Sequence, residues 1–69
     1  MPSEHSGTVT EFDEPVGLGV VTADDGTPYP FHCTQIADGT RTIAVGTKVH
    51  FTLWARLGTY EAAAITPAG

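Results

Sequence analysis

Residues 16–26 read VGLGVVTADDG, a β-branched run punctuated by Gly17 and Gly19 and closed by Asp24-Asp25-Gly26. Aspartate followed by glycine supplies the positive backbone angles and side-chain acceptors of a tight hairpin turn, so the run reads as a strand entering a turn. Glycine inside a strand serves either a close approach of another group or a local bend. No aromatic ring stands between the two glycines, so a bend in a small, strongly curved sheet is the simpler reading.

The same grammar extends in both directions. GTVTEF is a first strand, joined to GLGVVT by the turn signal DEPV. PYPFHC follows the DDG turn as a third strand, and its Pro28 and Pro30 withdraw two alternate N–H donors from one edge, which marks that edge as unpaired or interrupted. TQIADGTRTIAVG is a longer connection with room for one helical turn at residues 34–37. In TKVHFTLWA, Val49, Phe51 and Leu53 alternate with Lys48, His50, Thr52 and Trp54, giving one core face and one wet face. YEAAAI is too short for a stable lone helix and reads as a fifth strand. A three-strand meander, a long connection and a hairpin predict an all-β, five-stranded antiparallel Greek-key barrel of the OB type. Residues 1–6 are expected to be a flexible tail, residues 7–66 the barrel and residues 67–69 a second tail.

Composition narrows the function. The chain has 69 residues, enough for one small domain that buries only about 60% of its unfolded surface. A single cysteine, Cys33, rules out an internal disulfide and favours a reducing, cytoplasmic setting. The opening MPSEHSG has no basic and apolar leader pattern, and no apolar run reaches the roughly 18 residues of a membrane span. Eight acidic residues against three Lys and Arg give a formal charge of −5, which repels phosphate backbones and anionic membrane surfaces.

With these segments in place, the chain resembles the bacterial cold-shock proteins over residues 7–65. The resemblance is carried by GTV, Phe12, GLGVVTADDG, FHCTQI, GTKVHF and the AAAI ending. It implies a five-stranded barrel that binds single-stranded RNA and DNA by stacking bases on exposed rings, with lysines on the phosphates. Carried over one position at a time, the family's tryptophan is Glu11 here and the lysine before it is Thr10, while Phe12 is kept. The lysine ahead of the glycine motif is Val16, and the two phenylalanines of that motif are Leu18 and Val20. In the third strand the first exposed phenylalanine is Pro30, the histidine persists as His32, and the following phenylalanine is Cys33. The aromatic beside the later DG is Thr40, followed by Arg41 where lysine is common.

The nucleic-acid site implied by resemblance is therefore Phe12, Leu18, Val20, Pro30, His32, Cys33 and Arg41, in degenerate form. Base stacking contributes roughly 1–3 kcal/mol per base. Loss of four rings at the lower bound weakens binding about a thousandfold. Few cations are left to release counterions in compensation, and Glu11 puts a carboxylate where a base would lie.

Other signals carry less. His32 and Cys33 are neighbours, expected on opposite faces of a regular strand, so a thiol–imidazole pair fails unless a bulge realigns them. His5, His32 and His50 are scattered, with no zinc-like spacing, so no metal and no cofactor are expected. Asp13/Glu14 and Asp24/Asp25 flank turns, where carboxylates bond their own backbone. Trp54 lies out of phase with the core and, with Leu57 and Tyr60, outlines an apolar patch for a protein partner, unless the indole folds back over its own loop.

Two non-catalytic readings remain. One is a protein-interaction module, using the aliphatic face of Phe12, Leu18, Val20, Pro30 and Cys33 or the Trp54 hairpin, on a barrel whose classical single-stranded RNA or DNA binding is weak or lost. The other is a cold-shock-type single-stranded nucleic-acid binder with altered affinity. Residue chemistry favours the first and family habit the second.

Overall fold

The computed structural model describes residues 4–37, 39, 41–56 and 58–68. The chain forms β1 (Glu4–Asp13), β2 (Leu18–Ala23), β3 (Pro28–His32), a 3₁₀ turn at Cys33–Gln35, β4 (Lys48–Arg56) and β5 (Thr59–Pro67). The strands build one sheet in the order β3-β2-β1-β4-β5, with every neighbouring pair antiparallel. The segment after β3 returns across the open side. There Ile36 bridges Ile65 in parallel, Ala37 N–H donates to the Ile65 carbonyl at 2.8 Å, and the Gln35 side-chain carbonyl accepts Ala64 N–H at 3.4 Å. This is the small all-β barrel that the strand pattern predicts.

The inward-facing set is Val9, Val21, Phe31, Ile36, Val49, Phe51, Ala62 and Ile65, all buried, with Tyr29, Ile43 and Leu53 packed against it. The alternation read in TKVHFTLWA holds: Val49 and Phe51 are core, Leu53 is half-buried, and Trp54 is exposed. YEAAAI lies within β5, as expected.

The expected N-terminal tail is corrected. Glu4, His5 and Ser6 belong to β1 and pair with Thr52, Phe51 and His50 of β4. The β4 strand is nine residues long, and its first half takes the start of β1 as its partner. His5 stacks on Phe51, with ring centroids 5.7 Å apart and planes at 24°. At the other end β5 runs through Pro67, opposite Val49, and Ala68 N–H donates to the Lys48 carbonyl at 2.8 Å. Residues 67 and 68 are thus part of the sheet ladder rather than a tail.

The reading of Pro28 and Pro30 is met by the register. Cys33 N–H donates to the Gly17 carbonyl and Ala23 N–H to the Thr27 carbonyl, which fixes the hydrogen-bonded positions between β2 and β3. The prolines fall at the intervening positions, opposite Thr22 and Val20, so their missing donors face away from β2.

Candidate ligand-binding face

A bulge in β1 decides which side chains reach the outer surface. Val9 pairs with Val21, but the next partner, Val20, is opposite Glu11, so Thr10 is the extra residue. A bulge inserts one residue and reverses the alternation beyond it. Glu11 and Asp13 therefore share the outer face with their partners Val20 and Leu18, and Phe12 turns inward with Gly19.

Two cross-strand rows result. Glu11, Val20 and Pro30 form one, and Asp13, Leu18 and His32 form the next. Along the strands they make a column of carboxylates on β1, a column of aliphatics on β2, and Pro30 with His32 on β3. Leu18 is 49% exposed and Val20 half-buried, so the middle column is accessible apolar surface. An open cleft of about 580 Å³ lies over Glu11, Phe12, Asp13, Leu18, Gly19, Val20 and Pro30. A second, of about 400 Å³, shares Leu18, Gly19 and Pro30 with it and extends to His32, Thr34, Gln35 and Glu61.

Beneath this face lie the rings. Phe12, Gly19 and Phe31 occupy one row on the inner side, and Phe12 stacks on buried Phe31 at 5.9 Å with the planes 13° apart. A side chain at Gly19 would meet the Phe31 ring at 2.5 Å and the Glu11 carbonyl oxygen at 2.7 Å. Gly17 takes φ +79° in the turn between β1 and β2, with Cys33 Sγ 2.9 Å from where its Cβ would be. Both glycines are thus accounted for inside the barrel, by ring packing and by a turn.

His32 ends β3 and caps the 3₁₀ turn. Its Nδ1 accepts Thr34 N–H at 3.2 Å and lies 3.0 Å from Thr34 Oγ1, so the neutral ring carries its proton on Nε2. The expectation that His32 and Cys33 point apart is corrected. Strand geometry stops between them, and Cys33 Sγ comes within 3.8 Å of His32 Nδ1. The Nδ1 lone pair is already engaged by Thr34, and the half-buried thiol packs against the core beside Gly17. Arg41 borders a smaller depression with Val16, His32 and Cys33, at the margin of the two rows. Thr40 lies outside the described residues.

The structure does not assemble the Trp54 patch on one face. Trp54 pairs with Glu61 and Ala55 with Tyr60, so the two exposed rings, at 51% and 54%, leave the β4–β5 hairpin from opposite sides. Leu57 lies outside the described residues. Sequence reading also missed the contribution of Asp13 to the outer face and the approach of Glu61, which reaches the second cleft from β5.

A solved structure described as Drosophila Unr CSD456 superposes on the chain with a TM-score of 0.83 at 23% sequence identity, covering 99% of this chain. The fold is a cold-shock-domain barrel. The chain spans 28% of the length of that protein, so the match concerns one domain's worth of structure. No protein-family model matches, and no curated protein sequence matches. Among the described residues no helix is long and apolar enough to cross a membrane, and no group of three His, Cys, Asp or Glu side chains is arranged to hold a metal ion.

Proposed function

We propose that this domain is a non-catalytic binding module of the cytoplasm whose outer β1–β2–β3 face docks a protein segment, with single-stranded nucleic acid bound weakly at best. One observation carries the reading. The face that in cold-shock proteins is implied to display rings holds carboxylates, Leu18, Val20 and Pro30, and its Phe12 ring is half-buried against Phe31 at the cleft floor. Aliphatic side chains keep a surface suited to apolar contact but offer no flat π-face for a base. The carboxylates of Glu11 and Asp13 oppose a phosphate backbone on the same side.

The second reading is single-stranded RNA or DNA binding of the cold-shock type. It is favoured by the fold and by His32, an exposed side chain directly opposite Leu18 whose Nδ1 is held by Thr34 N–H. Titration with a short oligothymidylate at low salt and at about 0.15 M salt, followed by backbone amide shifts, separates the two. Submicromolar binding at the higher salt with shifts along β2 and β3 overturns the protein-docking reading. Absence of shifts, together with a cellular protein complex lost on Leu18→Ser, supports it.

A further inference from the structure

We infer that the segment docked by this face is basic and extended, with Arg or Lys at alternate positions. The inference rests on the protein-docking reading above and adds the chemistry of the partner. Glu11 and Asp13 are two residues apart on one strand, beyond the bulge and on the same face. Their separation is two strand steps, roughly 6.6 Å, which is also the distance between alternate side chains of any extended peptide. A segment running alongside β1 and β2 therefore meets both carboxylates in register, one cation to each.

The neighbouring column explains why the cations are long-stemmed side chains. Leu18 and Val20 lie one strand over from the carboxylates, about 4.8 Å away across the ladder. An Arg or Lys whose methylene stem lies on these aliphatics carries its charged head across that gap to the Glu11 or Asp13 oxygens. Arg adds the option of two parallel N–H···O bonds to one carboxylate. The apolar and acidic columns are thus two halves of one subsite, repeated once along the strand.

The remaining surroundings agree in sign. Glu61 borders the adjoining cleft, and Glu14 follows in the turn beyond Asp13. Pro28 and Pro30 leave the outer margin of β3 without amide donors at those positions, which discourages strand addition there and favours a segment lying over the face. The formal charge of −5 steers a basic partner toward the molecule.

The test uses the whole chain and four probes: a labelled peptide Arg-Thr-Arg-Thr-Arg, its permutation Arg-Arg-Arg-Thr-Thr, a neutral apolar peptide Leu-Thr-Leu-Thr-Leu, and a short oligothymidylate. At about 0.15 M salt the alternating peptide is expected to bind more tightly than the permutation and to shift the amides of Glu11, Asp13, Leu18 and Val20. The double variant Glu11→Gln/Asp13→Asn is expected to weaken it about tenfold or more. The charge-matched control Glu4→Gln/Asp24→Asn is expected to stay within about twofold, because both carboxylates lie away from the face. Thermal melts of both variants identify any loss of fold.

Equal weakening by the two double variants, or equal binding of the two Arg peptides, overturns the inference in favour of diffuse charge attraction. If neither Arg peptide binds but the neutral apolar peptide shifts the same amides, the basic partner is wrong and the docking reading survives. Tight oligothymidylate binding on this face removes both. Shifts of these amides on raising the protein concentration alone identify a second copy as the occupant and also overturn the inference.

Discussion

The ring of Phe12 lies 5.9 Å from that of Phe31, with the planes only 13° apart, and Gly19 separates them in the row. That relationship ties a residue of the expected binding surface to the core beneath it, leaving Phe12 half-buried at the cleft floor. It also makes Gly19 a packing residue. Gly19→Ala forces a methyl group against the Phe31 ring and the Glu11 carbonyl, and over-packing of this kind costs about 1–3 kcal/mol. Urea unfolding of Gly19→Ala is expected to show that loss. Gly19→Ala/Phe31→Leu is expected to regain part of it relative to the sum of the single changes, and strict additivity would refute the ring contact as the cause.

A second prediction concerns β5. Ala64 has φ 51° and sits where the β4–β5 register shifts, with its N–H held by Gln35. An L-residue in the left-handed region costs roughly 1–2 kcal/mol, a cost glycine avoids. Ala64→Gly is therefore expected to raise stability by about 1 kcal/mol, net of some added freedom in the unfolded chain. For a domain of this size that is a rise in Tm of about 4–8 °C. A fall in Tm would mean that the Ala64 methyl group makes packing contacts that outweigh the backbone strain.

Acid should weaken the turn between β2 and β3. Thr27 N–H donates to Asp25 Oδ1 at 2.9 Å, and this bond, then the Thr27 side chain, holds the Asp25 carboxyl below its ordinary 3.8, with His5 adding to the effect. A carboxyl lowered on folding contributes stability above its unfolded pKa, and the contribution fades as pH falls through the folded value. The variant Asp25→Asn keeps a side-chain acceptor at this position without the titration. The wild-type advantage over Asp25→Asn is expected at neutral pH and to shrink between about pH 5 and pH 3, in melts recorded side by side. A constant difference across that range would exclude the carboxylate as its source.

Much of this architecture is legible from strand periodicity and turn chemistry, because both act locally. Asp25-Gly26 announces its turn, and Val49, Phe51 and Leu53 announce their face. The bulge at Thr10 is silent, because nothing in TVTEFD distinguishes a regular strand from one carrying an extra residue. Phe12 therefore reads as surface from the resemblance and is found half-buried, packed against Phe31 at the floor of the first cleft. Glu4–Ser6 look like a tail because they are polar, yet a strand needs only a partner's backbone, and β4 provides one. The opposite facing of Trp54 and Tyr60 was within reach: counting back from the turn before Thr59 pairs Arg56 with Thr59 and Ala55 with Tyr60.

The strongest test of why nucleic acid should bind poorly is to restore what the face lacks. Glu11, Leu18 and Val20 lie on the outer side of adjacent strands, with Glu11 directly opposite Val20 and Leu18 one row along. The triple variant Glu11→Trp/Leu18→Phe/Val20→Phe places three rings there and removes one carboxylate. At the lower bound of roughly 1 kcal/mol per stacked base, three rings strengthen binding of a short oligothymidylate about a hundredfold. Removing the Glu11 charge adds a further gain that fades as salt rises, whereas the stacking gain persists. Fluorescence titration at two salt concentrations separates the two, with the melting curve of the variant confirming its fold. If the folded triple variant binds no better than the wild type, missing rings are not the reason for weak binding. The repulsion from the remaining carboxylates would then have to account for it.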